Sequence, residues 1–303
     1  MRKLCTIILF ITALATQTVA QKEIYISQYQ HNRYAVNTAF AGANEALTLF
    51  GSYRKQWTGV DKSPQAQLFS AHTPLKSEQI ALGVEAFNQS YGVSSNSGFA
   101  ASYTYRVKQS ARNWLALSVN VGVSFHSASW SDVPVHDPND PMFNTKDAIS
   151  SPMVGLGTAW YGQRFFVGLS TPSFFYTDVY TTGEAKFDPG KSELIATGGY
   201  LFDINDQFQI QPSCLVRLNT PYGTIADANA SLVWRKTVWG GMAYRTTDEI
   251  TAMVAVEPIP HFRIAYSIDF TTGDIATYNN GSHEISLRYH FGYKIQTASP
   301  KFF

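Results

Sequence analysis

The chain has 303 residues, of which 15 % are charged and 14 % are aromatic, and its formal net charge is +1. Typical soluble proteins have about 25 % charged residues, and disordered chains combine high charge with few aromatic residues, so the composition excludes disorder. The small net charge gives no electrostatic basis for nucleic-acid binding, and past the N-terminus no uncharged apolar run reaches the roughly 18 residues of a membrane helix.

The first twenty residues have the pattern of a secretory signal peptide. Two basic residues are followed by an apolar core, Leu4 to Leu14, and by small residues before a predicted cleavage after Ala20. The exported chain then retains only Cys214, so we expect no intramolecular disulfide and no multi-cysteine metal site.

Residues 21–45 precede the first predicted strand, and we assign them as a periplasmic N-terminal segment. The pattern leaves three arrangements open, namely an ordered periplasmic segment, a plug inside a barrel lumen, and plain disorder. Apolar and aromatic residues such as Ile24, Tyr25 and Tyr34 argue against disorder.

The rest of the chain is dominated by alternation of apolar residues with small or polar ones. The clearest examples are 115–125, 262–270 and 285–293. A period of two predicts strands with one apolar face, and about 9–11 residues is the length that a tilted membrane strand needs. We predict about fourteen strands, near 46–57, 64–73, 79–89, 97–107, 113–129, 150–160, 165–170, 193–202, 207–218, 224–234, 237–245, 250–256, 261–270 and 282–293.

The connections between these strands form two groups. Those after even-numbered strands are short, whereas those after odd-numbered strands include the longest, 130–149, 171–192 and 271–281. This asymmetry and an even strand number are typical of bacterial outer-membrane barrels. We therefore predict an all-β fold: a transmembrane antiparallel β-barrel of about 14 strands in the outer membrane, at residues 46–293, with a C-terminal tail at 294–303.

Four tryptophans flank the short connections and predict an aromatic girdle at one membrane interface. They are Trp114, Trp160, Trp234 and Trp239, and we expect Phe165, Phe208 and Tyr293 to join them.

Charged residues share the predicted inward face with glycine, alanine and serine. They are Arg54, Glu85, Arg106, Arg217, Arg263, Asp269 and Arg288. A charged lumen suits either a structural ion network or a conducting pore, and the pattern does not separate the two.

The chain offers no convincing catalytic or metal site. His126 and Ser124 share the inward face, whereas a membrane phospholipase needs such residues at the lipid interface. The loop segment Asp137 to Pro141 is rich in oxygen ligands for calcium but lacks EF-hand spacing. We therefore expect no enzymatic activity, no metal and no cofactor.

Several blocks of the exported chain resemble the PorP/SprF family of type IX secretion proteins. The residues that carry the resemblance are Ser27, Gln28, Tyr29, Asn37, Gly42, Arg54, Lys55, Gln56, Trp57, His72 and Pro74. Another similar block runs from Gly281 to Tyr289. The sequence departs from the family pattern at Thr38, where proline is usual.

The resemblance implies an outer-membrane barrel of the type IX secretion and gliding machinery that acts in secretion or surface anchoring of cargo proteins. The partners it implies are membrane lipid, other secretion components and a secreted adhesin or cargo protein, with no nucleic acid. It implies no catalytic residue. A passive porin or hydrophobic-solute transporter is the alternative, and an outer-membrane hydrolase is a third, weaker one.

The two longest predicted loops carry apolar and aromatic residues that we assign as candidate partner contacts. Leaving such a side chain in water forgoes burial worth roughly 1.5–3 kcal/mol. The candidates are Trp130, Val133, Val135, Met142, Phe143, Phe174, Phe175, Tyr176 and Tyr180. The alternative is that the loops fold over one another and cap the lumen.

Overall fold

The computed structural model describes residues 26–76, 78–110, 112–129, 146–177, 185–219, 223–272 and 274–292. Helical structure in these ranges consists of short 3-10 turns, and none of it is long and apolar enough to cross a membrane. The strands are β1 Leu47–Lys55, β2 Gln65–Pro74, β3 Ile80–Tyr91, β4 Ser94–Lys108, β5 Asn113–Ser129, β6 Lys146–Gly162, β7 Phe165–Thr171, β8 Phe175–Thr177, β9 Ala185–Phe187, β10 Leu194–Tyr200, β11 Phe202–Asp203, β12 Phe208–Asn219, β13 Gly223–Trp234, β14 Val238–Arg245, β15 Glu249–Ile259, β16 Phe262–Thr271 and β17 Ser282–Phe291.

Fourteen of these strands form one closed antiparallel barrel. Each wall strand pairs with the next along the chain, β10 pairs with β7 and β12, and β17 pairs with β1 from Leu47↔Phe291 to Lys55↔His283. The short β11 prolongs the β10 side of the sheet, and β8 and β9 form a separate hairpin. The predicted fold is confirmed, and all fourteen predicted strands are present with bounds that differ by a few residues.

The connections divide the barrel into two ends. At the turn end lie the start of β1, the end of β17 and the six connections 75–79, 109–112, 163–164, 201–207, 235–237 and 260–261. The opposite, loop end carries the connection 172–193, which contains β8 and β9. The predicted asymmetry is therefore confirmed in the described residues.

The β13–β14 connection shows how tight the turn end is. Arg235 and Lys236 have φ of 47° and 59°, and the Thr237 N–H donates to the Trp234 carbonyl at 3.0 Å. Two consecutive positive φ values are the signature of a type I′ turn, whose twist matches that of the flanking strands.

The loop predicted at 130–149 is shorter than expected. Lys146 to Ile149 already belong to β6, where they pair with His126 to Ser129 of β5. The alternation that marks strands fades in 146–149, so pairing with the long β5 was needed to define the start of β6.

The two faces of each strand agree with the alternation in the sequence. On β5, Leu117 and Val121 are 57 % and 56 % exposed on the outer surface, whereas Ala116 and Asn120 are buried toward the lumen. The outer surface is therefore apolar, and the lumen is lined by small, polar and charged side chains, as lipid on one side and a polar interior on the other require.

The predicted tryptophan girdle is only half right. Trp160 and Trp234 face outward, 49 % and 41 % exposed, and Trp160 packs edge-on against Phe165 with ring centroids 4.6 Å apart. Trp114 and Trp239 instead point into the lumen and are buried. Proximity to a turn was the wrong criterion, because the parity of the position along the strand decides which face a side chain occupies.

A pair of substitutions on β3 tests the face assignment. Val84 lies on the outer surface, half exposed, whereas Gln89 lines a cavity inside the barrel. Val84→Arg should lower the free energy of unfolding by roughly 2–4 kcal/mol, because it places a charge in lipid near the midplane. Gln89→Arg should cost clearly less. The measurement is denaturant unfolding of the barrel reconstituted in vesicles, and equal losses would show that the faces are misassigned.

Candidate functional site

Residues 26–46 lie inside the barrel, and we call this segment the plug. It contains two short 3-10 turns, Arg33–Ala35 and Thr38–Phe40, and most of its residues are buried. Of the arrangements that the sequence left open, the described residues adopt the lumenal one rather than a position beside the barrel. Polar groups removed from water must be hydrogen-bonded, so the wall has to supply the partners.

Near the loop end, Ser27 joins the plug to a buried charged cluster on the wall. The Ser27 hydroxyl donates to Asp269 at 2.9 Å and accepts from Arg54 at 2.9 Å and from Arg245 at 3.1 Å. Its backbone N–H donates to Glu284 at 2.8 Å. One serine is thus bonded to side chains from β1, β14, β16 and β17.

The charged cluster is held by ion pairs between strands of the wall. Arg54 on β1 pairs with Asp269 at 2.5 Å and with Glu284 at 3.4 Å, and Arg245 pairs with Glu249 at 2.5 Å. All of these side chains are at most 3 % exposed. Removing one member of a buried pair costs several kcal/mol, because its partner stays buried without compensation.

Gln28, the next plug residue, uses both the nitrogen and the oxygen of its side-chain amide in hydrogen bonds to the wall. Gln28 donates to the Ser267 hydroxyl at 3.1 Å and to the Glu284 carbonyl at 2.9 Å, and it accepts from the Ser286 hydroxyl at 2.5 Å. Tyr29 follows with a hydroxyl contact to Ser213 of β12 at 3.1 Å.

The middle of the plug lies close to arginine side chains of the wall. Arg288 donates to the His31 carbonyl at 3.0 Å. The His31 side chain is buried, with Arg263 and Arg288 nearby. Arg33 of the plug lies over the Phe166 ring, 4.3 Å from its centroid.

Asn37 fixes the second 3-10 turn against β6 and β7. Its Oδ1 accepts from the Ala39 N–H at 3.0 Å, and its Nδ2 donates to the carbonyls of Thr158 at 3.0 Å and Leu169 at 3.2 Å. The close approach depends on glycines opposite it, because a side-chain carbon at Gly157 or Gly168 would collide with the Asn37 amide.

Gly42 holds the last part of the plug against the wall at the turn end. Its N–H donates to His72 Nδ1 at 3.1 Å, and its carbonyl accepts a short hydrogen bond from Arg106. Gly42 has φ +72°, and a side-chain carbon there would collide with Arg106 and Ala81 and crowd Pro74, so glycine is required on both counts. Arg106 also stacks on Trp114, 4.5 Å from the ring centroid.

The structure brings most of the family-motif residues together at the contact between plug and wall. Ser27, Gln28, Tyr29, Asn37 and Gly42 lie on the plug, and Arg54, His72 and Pro74 face it from β1 and β2. Lys55, Gln56 and Trp57 lead instead into the β1–β2 connection at the loop end, where the Gln56 N–H donates to the Pro64 carbonyl at 2.8 Å.

All seven charged residues predicted to face inward do so, and the sequence analysis missed further members of the network. Arg245, Glu249 and Glu284 lie at the loop-end termini of their strands. Alternation is weakest at strand termini, so only parity counted from the centre of each strand would have indicated their direction.

A cavity of about 310 Å³ remains at the loop end above the plug. Ile26 and Ala35 of the plug contribute to its lining, and Phe87, Gln89 and Tyr91 form part of its wall. Beside the plug, two smaller spaces measure about 40 Å³ and 20 Å³, room for little more than single water molecules.

The predicted partner contacts fall partly on the described residues. Trp130, Val133, Val135, Met142, Phe143 and Tyr180 lie outside them, as does the proposed calcium loop, and of Tyr176 only its backbone position in β8 is described. Phe174 and Phe175 pack around Phe187, with ring centroids 6.2 Å and 5.7 Å apart. Phe187 is 64 % exposed, and Phe175 lines the cavity.

The described residues offer no obvious catalytic arrangement. His126 Nε2 lies 3.2 Å from the Ser124 hydroxyl, but both face the lumen. No group of three or more His, Cys, Asp or Glu side chains in the described ranges could hold a metal ion.

Substitutions at Arg54 and Arg164 test whether the charged cluster stabilises the fold. Arg54→Ala should lower the free energy of unfolding by roughly 3–5 kcal/mol, because Asp269 and Glu284 stay buried. The matched control Arg164→Ala breaks an exposed pair with Asp203 at the turn end and should cost about 0–1 kcal/mol. Denaturant unfolding measures both, and similar losses would contradict the role of the cluster.

Comparison with solved structures finds other outer-membrane barrels at low sequence identity. A monoaromatic hydrocarbon channel, CymD, is 11 % identical with a TM-score of 0.51, and the match covers 91 % of this chain and 95 % of that one. A Pseudomonas aeruginosa FadL homologue is 12 % identical with a TM-score of 0.45, over 81 % and 90 % of the two chains. At these identities the first likeness bears on the fold alone. Among curated proteins no sequence relative was found.

A comparison with known protein families gives more specific information than the comparison with solved structures. Residues 18–289 match the family described as type IX secretion system membrane protein PorP/SprF, which includes the plug and nearly the whole barrel. Fold and family together support a location in the outer membrane. The match agrees with the resemblance carried by the motif residues, and the chain belongs to the PorP/SprF family of type IX secretion system membrane proteins.

Proposed function

We propose that this protein is a non-enzymatic component of the type IX secretion and gliding machinery that acts in secretion or surface anchoring of cargo proteins. The observation that carries the proposal is the plug. A lumen occupied from Ser27 to Gly42 leaves little room for solute flow, so the useful surface of the barrel is at its ends.

The loop end is the better candidate for cargo contact, and we place it at the cell surface, as in other single-chain barrels with short periplasmic turns. It combines the loop-end cavity with the aromatic group of Phe174, Phe175 and Phe187. Exposed aromatic side chains next to a concave surface are typical anchors of protein partners. The turn end would then face other components of the secretion machinery.

The chemistry inside the barrel supports a structural rather than a catalytic role. The ionisable groups of the charged cluster are engaged in ion pairs within the wall and in hydrogen bonds to Ser27 of the plug. Ser124 and His126 face the lumen instead of lipid. A lipid hydrolase would need its nucleophile and base at the outer surface.

The alternative is a passive porin or hydrophobic-solute transporter. The hydrocarbon channel that shares the fold does not favour it, since 11 % identity carries no function. An open pathway would require the plug to leave, which breaks the bonds of Ser27, Gln28 and Asn37 at once.

Conductance separates the two functions. The unmodified protein in a planar bilayer should show no large steady open state, because the plug occupies the lumen. The double variant Gln28→Ala, Asn37→Ala removes six side-chain hydrogen bonds of the plug and should raise open-state frequency. Heat-modifiable gel migration checks that the barrel is intact. Large steady channels in the unmodified protein would support the porin.

Substitutions at the loop end test cargo contact in cells. Replacing residues 133–144 by a short Gly-Ser linker, or Phe174 and Phe187 by serine, should release exported proteins of the pathway into the medium. The control Ile204→Ser removes an exposed apolar side chain at the turn end and should leave cargo bound. The measurement is cargo in cell and supernatant fractions at equal barrel abundance. Cargo that stays on cells in both loop variants would contradict the loop contact.

A further inference from the structure

We propose that the loop-end cavity binds a basic side chain, the ammonium of lysine or the guanidinium of arginine, with Glu85 as its ion partner. The identification of the ligand as part of an exported polypeptide rests on the proposed function. The positive charge of the ligand group does not rest on it, because it is inferred from the cavity itself.

The inward face of β3 forms one continuous side of the cavity. Glu85, Phe87, Gln89 and Tyr91 alternate along this strand, so all four point to the lumen. Glu85 is the deepest of them, and it also lines the small space beside Tyr34 and Ala35 of the plug. Tyr91 is the last residue of β3, at the mouth. These four side chains therefore line the cavity from its mouth, at Tyr91, to the Glu85 carboxylate at its deepest point.

Glu85 differs from the carboxylates of the charged cluster in the residues that surround it. Its partners in register are Ser70 on β2 and Ala100 on β4, neither of which is charged. Within the described part of the chain no lysine, arginine or histidine forms an ion pair with Glu85.

The basic residues that line the cavity already have partners. His126 and Lys191 take part in interactions of their own, and the two arginines pair with other carboxylates. Arg54 pairs with Glu284, and Arg217 pairs with Glu193 at 2.7 Å. A carboxylate enclosed in a protein without a counter-charge is unfavourable, and a ligand cation would remove that cost. Glu85 is therefore the group in this cavity that a cationic ligand would satisfy.

The rest of the lining suits such a ligand. Phe87, Tyr91 and Phe175 supply aromatic rings, whose faces attract ammonium and guanidinium groups. Gln89 and Asn96 supply amides that can bond to a polypeptide backbone. A volume of about 310 Å³ accepts a side chain with its adjoining backbone but not a folded domain.

Calorimetric titration of the purified full chain in detergent tests the site. The probe is Nα-acetyl-lysine methylamide, and the matched probe is Nα-acetyl-norleucine methylamide, which has the same chain without the ammonium. The lysine probe should bind about tenfold or more tightly than the norleucine probe, because only its ammonium can pair with the Glu85 carboxylate, and Glu85→Gln should remove that difference. Asp203→Asn, which removes an exposed carboxylate at the turn end, should change nothing.

The outcomes separate this proposal from the proposed function. Equal binding of the two probes, no binding of either, or a Glu85→Gln protein that still prefers lysine would overturn the cation site, whatever the loop variants do to cargo. In cells, cargo released by Glu85→Gln at normal barrel abundance would support a polypeptide ligand. Lysine binding in vitro with cargo fully retained by that variant would overturn the polypeptide and leave the cation site standing.

Discussion

A chain that crosses a membrane in strands must hydrogen-bond its last strand to its first, because lipid offers no partner to an exposed sheet edge. Here β17 pairs with β1 along its length, and the rest of the structure depends on that closure. About eight strands enclose a space that wall side chains can fill, whereas fourteen enclose far more. Much of the inward face carries small residues, which widen the lumen further. The plug occupies this space and supplies the polar partners that the wall needs.

The plug contacts strands on both sides of the β17–β1 pairing that closes the barrel. Ser27 and Gln28 bond to β16 and β17, and Arg54 on β1 reaches both Ser27 and Glu284. Closure of the barrel and docking of the plug therefore stabilise each other. The residues that carry the family resemblance are largely those that make these contacts, so the motifs describe how a polar segment is held inside a barrel and not a reaction centre.

The two ends of the barrel differ in how much space remains between the plug and the wall. At the turn end Gly42, His72 and Arg106 bring the plug against the wall, and only small spaces remain. At the loop end the loop-end cavity opens above the charged cluster, and Glu85 forms no ion pair among the described residues. A barrel that is filled at the turn end and concave at the loop end is better suited to holding a partner than to passing solutes.

The sequence by itself determined the strands, their faces and the sorting of short and long connections, because a period of two and turn residues are local properties. It also indicated most of the arginines that face the lumen, and the family resemblance pointed to most plug-contact residues. The plug's position was decided only by the tertiary structure. Residues 26–46 have no strand periodicity, and their partners are as distant as Asp269, 242 positions from Ser27. Those partners come together only when the barrel closes.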